Sequence, residues 1–417
     1  WTHTLAVLDD RSPLAVTILN TLAWLAPDDI PLALLQGIAT GDDLDEALAA
    51  LRTYSMITLT RDTVSVHRLV QTVLRKQSDH PGRTEAEHAL TQALDALPEP
   101  PELGPAPAWE ELIPHLTALA ATTPPDHHDN PITRHYLTAA QYLYHQGHDA
   151  RTIPLRQAHL TYCERVLGDT HPDTLTSRNN LAYAYATAGD LDLALPLQIA
   201  TLAQREELLG HTHPLTLSSR NNLACTYESA GDLERAIPLY ETTLAQCEEI
   251  LGDTHPDTLL SRNNLAYAYY MESDLERAIP LYETTLAQRE ETLGHTHPDT
   301  LLSRNNLAAA YESAGDLERA IPLHEAALTQ YEQVLGPTHP DTLTARNNLA
   351  YAYASAGDLE RAIPLYRTVL AQREQILGPT YPQTITTRDN LDHALRQRAT
   401  NQPTRRRWWQ RRKRAAD

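Results

Sequence analysis

The sequence predicts an all-α fold, a superhelix of stacked helical repeats preceded by a small domain of helices and one β-hairpin. Three observations carry this prediction. Arg-Asn-Asn-Leu-Ala recurs at Arg178, Arg220, Arg262, Arg304 and Arg346, always 42 residues apart. His-Pro keeps the same step at His171, His213, His255, His297 and His339, with Tyr381-Pro382 in the next slot. Gly-Asp follows at Gly189, Gly231, Gly315 and Gly357, with Ser273-Asp274 in the remaining copy. A fixed period of this size means stacked copies of one supersecondary unit. One period before Gly189 lies Gly147, so a degenerate copy starts near residue 129, and a half copy ends near Arg398.

Each copy reads as two helices. Asp173-Thr174 follows Pro172 and is placed to cap the first, because a short polar side chain accepts bonds from first-turn amides. Leu175, Leu181, Ala182 and Tyr185 mark an apolar stripe at helical spacing. Gly189 supplies a left-handed stop, and Asp190 is placed to cap the second helix. Pro238, Pro280, Pro322 and Pro364 fall about six residues into that helix, where a missing amide and a crowded turn predict a local kink.

The unit resembles the tetratricopeptide repeat. Leu223, Ala224 and Tyr227 take the places of its first signature, and Ala236 and Tyr240 those of its second. The longer period and the Leu-Gly-x-x-His-Pro link resemble the kinesin-light-chain subtype. Arg220 and its equivalents stand where that pattern carries Trp. An arginine stem fills such a gap while its guanidinium pairs with a carboxylate of the second helix such as Glu248. The fold class is thus a tetratricopeptide-repeat superhelix over residues 129–399.

Residues 1–78 do not follow the repeat. Pro13 to Ala26 is amphipathic, with Leu14, Ile18, Leu22 and Leu25 inward. Pro31 to Gln36 and Leu44 to Leu51 are two further helices. Met56 to Thr60 and Thr63 to Val66 alternate around Arg61-Asp62 as a hairpin, and another helix starts at His67. Three helices followed by a hairpin describe a winged helix. DNA binding through the third helix is one function of that fold. Here that helix reads Asp42-Asp43-Leu44-Asp45-Glu46, which phosphates repel. Residues 79–128 form a helical linker, broken by the proline-rich stretch 98–108 and again at 122–131.

Val66-His67-Arg68-Leu69-Val70-Gln71 resembles the Met-His-Asp motif that closes the winged-helix part of bacterial NB-ARC signalling NTPases, the STAND family. Leu25 to Pro31 and Leu112-Ile113-Pro114-His115 resemble the same family. The resemblance implies that His67 touches the β-phosphate of bound ADP in a longer protein and holds it closed. Arg68 departs from the usual acid. No G-x-x-x-x-G-K-[ST] occurs in the chain, so the loop that cradles ADP or ATP is expected upstream. The start at Trp1 fits a fragment.

Composition bounds the function classes. The net charge is −20, which makes the body a poor general nucleic-acid binder. Arg405 to Arg414 carry +7, leaving −27 elsewhere (−20 less +7). This basic tail, residues 400–417, contains Trp408-Trp409. It is open to solvation, to contact with anionic membrane lipid, or to docking on the protein's own acidic surface near Glu228 and Glu312. Cys163, Cys225 and Cys247 show no paired spacing, which fits a reducing cytoplasm. The bias of 32 Arg to two Lys suggests a high-GC bacterial gene.

No catalytic constellation emerges from spacing, and no metal site is expected. His211/His213, His295/His297 and Asp126-His127-His128-Asp129 invite a zinc reading, but repeated histidines one per loop cannot converge. Carboxylates such as Glu206-Glu207 are expected to be solvated on helix surfaces. The stronger candidate is a surface. Leu260, Asn264, Tyr267 and Met271 follow at steps of 4, 3 and 4 on one helical face. Asn180, Asn222, Asn264, Asn306 and Asn348 then form a ladder on the concave side, where each amide can bond both groups of a guest peptide unit. Tyr183, Tyr267 and Tyr351 share that face. The alternative is that the asparagines only bond neighbouring helices.

These readings converge on a protein- or peptide-binding repeat domain. It would act as sensor and regulatory part of a STAND-type NTPase and answer to its own NTPase domain. The chain itself would be neither an enzyme nor the holder of a cofactor. The alternatives are a plain interaction scaffold and a DNA-binding regulator using the winged helix and basic tail.

Overall fold

The computed structural model describes residues 2–76, 82–101, 105–122 and 131–401. The chain divides into two compact units, Trp1–Thr226 and Tyr227–Asp417.

In the first unit, helix Thr2–Arg11 precedes the elements read from sequence. Helix Pro13–Leu22 starts on proline, whose missing amide is no loss in a first turn, and buries Ala15, Ile18, Leu19 and Leu22. A 3-10 turn, Leu32–Leu35, and helix Gly41–Thr53 follow. The expected hairpin is present as Ile57–Leu59 and Thr63–Val66, with Leu59 opposite Val64. A third strand, Ile30–Pro31, pairs antiparallel with its second strand. Two residues show no alternation, and Pro31 lacks an amide for a ladder, so this strand left no sequence signal.

Helices Arg83–Asp95 and Pro107–Ala120 pack into the same apolar core, which runs from Leu8 through Leu90 and Leu116 to Ala158. Gly82 makes this packing close. A β-carbon there would stand 2.2 Å from the backbone carbon of Asn20, at a φ of 79°.

The repeats begin with helices Thr133–His145 and Asp149–Val166. First helices then recur as Pro172–Ala188, Pro214–Ser229, Pro256–Met271, Pro298–Ser313, Pro340–Ser355 and Pro382–Asn401. Second helices are Leu191–Leu209, Leu233–Leu251, Leu275–Leu293, Leu317–Leu335 and Leu359–Ile376, each continuing through its proline.

The first-helix cap differs from expectation. Nδ1 of His171, His255, His297 and His339 accepts from the amide two residues on, at 3.2 Å. Proline's fixed φ fits the first helical position, which moves Asp173 inside the helix and leaves the cap to histidine. Second helices follow the expectation from Asp232 onward, where Asp232, Asp274, Asp316 and Asp358 each accept an amide at 3.1 Å. Asp190 makes no such bond. Gly189 has a φ of 87°, the left-handed stop required there. Ser273 takes the same conformation with a φ of 67°.

The repeated arginines are internal struts. Arg262 is buried and donates to Glu248 at 2.6 Å and to Gln288 of the following second helix. Arg346 repeats the pattern with Glu332 at 2.5 Å and Gln372 at 2.8 Å. A second set of arginines lies over tyrosine rings, Arg277 on Tyr269 at 4.0 Å and Arg319 on Tyr311 at 4.1 Å, an attraction of cation to ring quadrupole. The expectation of solvated carboxylates fails at Glu206. Burial opposes its charge, but bonds from Arg220 at 2.7 Å and His211 at 3.3 Å hold its carboxyl below the usual range. Glu207 is exposed as expected.

Candidate peptide-binding face

In the second unit, first helices lie side by side. Equivalent residues bond across them. Ser313 Oγ donates to Tyr270 Oη at 3.1 Å, and Ser355 Oγ to Glu312 Oε1 at 3.3 Å. Asn306 Nδ2 donates to Asn263 Oδ1 at 3.4 Å, and Asn348 Nδ2 to Asn305 Oδ1 at 3.2 Å. The constant offset of 43 residues in these pairs means that neighbouring first helices run parallel in one register.

The ladder asparagines Asn264, Asn306 and Asn348 are half-buried on this layer. Asn306 and Asn348 use one amide hydrogen on a neighbour. A primary amide carries two hydrogens and an acceptor oxygen, so an inter-helix bond and a guest bond are compatible at one side chain. Around them stand exposed apolar groups, Leu260 at 46%, Met271 at 52%, Leu302 at 45% and Tyr351 at 50% exposure. Tyr267 is also exposed and stacks on Tyr270 with ring centres 6.2 Å apart. Apolar side chains at these exposures on one layer are what a partner would cover.

Two carboxylates sit in the last turns of these helices. Burial raises the Glu228 carboxyl to about 6, against the pull of a 3.0 Å bond from Tyr240. Glu312 lies 3.7 Å from the fully buried His324. Burial foremost, and then the Glu228 charge, raise the Tyr267 hydroxyl. No sequence pattern foretold the Glu228 environment. Its only trace was glutamate recurring at that register in two copies.

In the first unit, Asn180 and Asn222 are half-buried. The Asn222 carbonyl accepts from Gln198 at 3.4 Å. Tyr183 packs edge-on against Tyr144, with centres 6.0 Å apart, and burial raises its hydroxyl. It is thus more enclosed than Tyr267 or Tyr351.

Three segments of the first unit, around Asp29, His67 and His115, meet in space. Val66 donates its amide to Pro27 O at 2.7 Å, and Asp29 N donates to Ser65 Oγ at 3.2 Å. Arg68, the departure from the usual acid, lies 3.5 Å from Asp28. His115 is buried against Asp29, and desolvation lowers its imidazole to about 4. His67 is exposed and caps helix Arg68–Arg75, its Nδ1 accepting from Leu69 N at 3.2 Å. An accepting Nδ1 puts the proton of a neutral ring on Nε2, which leaves His67 an exposed N–H donor.

Among the described residues no group of three His, Cys, Asp or Glu could hold a metal ion. His213 and His297 accept helix amides, while His211 and His295 pair with Glu206 and Glu290. Asp126 to Asp129 and residues 402–417 of the basic tail lie outside the described residues. No described helix is long and apolar enough to cross a membrane. The acidic helix Gly41–Thr53 exposes Asp42, Asp43, Asp45 and Glu46, a face that opposes a DNA backbone.

The tetratricopeptide-repeat profile matches residues 132–198, 179–246, 229–291, 262–333, 299–375 and 346–399. No curated protein matches the sequence. Among solved structures, kinesin light chain "nearly identical TPR-like repeats" assigned to Podosopora anserina are 31% identical, cover 49% of this chain and 97% of theirs, with a TM-score of 0.45. BtubC (BKLC) from P. vanneervenii is 22% identical over 61% of this chain and 95% of its own, with a TM-score of 0.45. A STAND protein with a tetratricopeptide-repeat sensor from Pyrococcus horikoshii is 14% identical over 91% of this chain and 59% of its own, with a TM-score of 0.47.

Proposed function

The chain belongs to the tetratricopeptide-repeat family, and on that footing we propose that its first-helix face captures an extended segment of a partner protein. The observation that carries this reading is Asn264, Asn306 and Asn348 in one register, amid the exposed side chains of Leu260, Tyr267, Met271, Leu302 and Tyr351. Amides at one register bond a guest backbone without regard to its sequence, and the apolar groups between them select its side chains. Peptides selected by display on the full chain test it. Asn264→Ala/Asn306→Ala/Asn348→Ala should lose most of their affinity with helicity retained, and unchanged titration calorimetry would reject the proposal.

The finer reading is that these repeats are the sensor of a STAND-type NTPase whose nucleotide domain lies outside this chain, in the cytoplasm. Its support is the junction at which Val66 bonds Pro27, Ser65 bonds Asp29 and His115 is buried against Asp29, so that the three segments that carry the resemblance are in contact. There His67 would hold ADP through Nε2, and ligand capture would release it. In the longer protein, His67→Ala should speed ADP release. Equal release rates would remove the NTPase link and leave the scaffold reading.

A further inference from the structure

The exposed face of the second unit has a definite chemistry. Its middle is apolar, through Leu260, Tyr267, Met271 and Tyr351. Its edge carries two carboxylates that are partly enclosed, Glu228 beside Tyr240 and Glu312 beside His324 and Ser355. The four positions that each first helix from Pro256 to Asn401 turns to this face carry no arginine or lysine. Glu228, partly desolvated, accepts from the Tyr240 hydroxyl at 3.0 Å, a bond from a hydroxyl rather than a cation. An occupant that satisfies both features is a cationic strand with large apolar side chains between its charges.

The chain contains such a strand. Arg405 to Arg407 and Arg411 to Arg414 flank Trp408-Trp409. It follows helix Pro382–Asn401. Because the first helices run parallel, that helix ends at the edge where Glu312 and Glu228 stand. The reach also fits. At about 3.3 Å per extended residue and about 10 Å between neighbouring helices, about six residues beyond Asn401 would span the two helix steps to Glu312 and about thirteen the four steps to Glu228, so the stretch from Arg407 to Arg414 is long enough for both.

We propose that residues 405–414 dock along this face of their own chain, with guanidinium groups on Glu312 and Glu228 and indoles over Met271 and Tyr267. The proposal rests on the reading of this face as a peptide groove, and it makes partner capture a competition with the chain's own strand.

Trypsin cleavage in the full chain tests it, read by mass spectrometry of fragments released from residues 405–414. At low salt, release should be at least about fivefold faster from Glu228→Gln/Glu312→Gln than from the parent, as two lost charge pairs would allow. Added salt near 0.5 M should close the gap by screening. Met271→Ser should also speed release. Glu249→Gln/Glu291→Gln, exposed residues of second helices, should leave it unchanged. Equal rates in parent and groove variants overturn the proposal, as does equal acceleration by the second-helix pair, which would mean diffuse attraction. If rates are equal while display-selected peptides still bind, self-docking alone falls. If neither holds, the groove reading falls with it.

Discussion

His115 shows how burial turns one residue into a pH sensor of stability. Its pKa falls from 6.5 to about 4 through desolvation, against the pull of Asp29. Above the unfolded value the ring is neutral in both states, and no penalty arises. As pH falls below it, the unfolded chain binds a proton that the folded chain refuses. The first unit should therefore lose up to about 3 kcal/mol between pH 6.5 and 4. Urea unfolding followed by Trp24 and Trp109 fluorescence should show this slope, and His115→Gln should flatten it. The same slope in the variant would place the effect elsewhere. Arg262 makes a second residue-scale case. Arg262→Ala strands Glu248 and Gln288, and about 2–3 kcal/mol of protection should disappear from helices Pro256–Met271 and Leu275–Leu293 in hydrogen exchange. An unchanged exchange pattern would show that water replaces the strut.

At the scale of the element, the turn between the two helices of a repeat requires a left-handed residue. Gly231, Gly315 and Gly357 hold φ near 79°, and Ser273 holds 67° with a side chain. A β-carbon in this region costs about 1 kcal/mol. Ser273→Gly should stabilise the second unit by roughly that amount, less what glycine adds in unfolded-chain freedom. A fall in the thermal midpoint would show that the Ser273 side chain contributes more than its backbone costs. Helix starts obey the same local logic. Proline at the first position and histidine before it form one device, repeated from His171 to His339.

At the scale of the molecule, one experiment separates the observed inter-helix bonding of the asparagine ladder from its proposed peptide contact. Asn348 donates to Asn305, so truncating either residue breaks the inter-helix bond, while only Asn348 carries the groove amide. Asn305→Ala should leave peptide affinity within about twofold, whereas Asn348→Ala should weaken it by roughly 0.5–1.5 kcal/mol. Equal losses in calorimetry would assign the asparagines to helix bonding alone.

The sequence by itself determined the repeat, its register and its internal struts. In a repeating fold each copy touches only its neighbours, so a fixed spacing along the chain is a fixed spacing in space. That is why Arg262 with Glu248, and the face Leu260–Asn264–Tyr267–Met271, were legible from period and helical geometry alone. The hairpin at Ile57–Val66 was legible for a similar local reason. Tertiary structure alone decided the rest. The strand Ile30–Pro31 exists through a partner more than 30 residues away and has no pattern of its own. Glu228 and His115 acquired shifted ionisation from burial, His115 against Asp29 far along the chain. Solvent exclusion belongs to the assembled neighbours of a residue, and neither composition nor spacing records it.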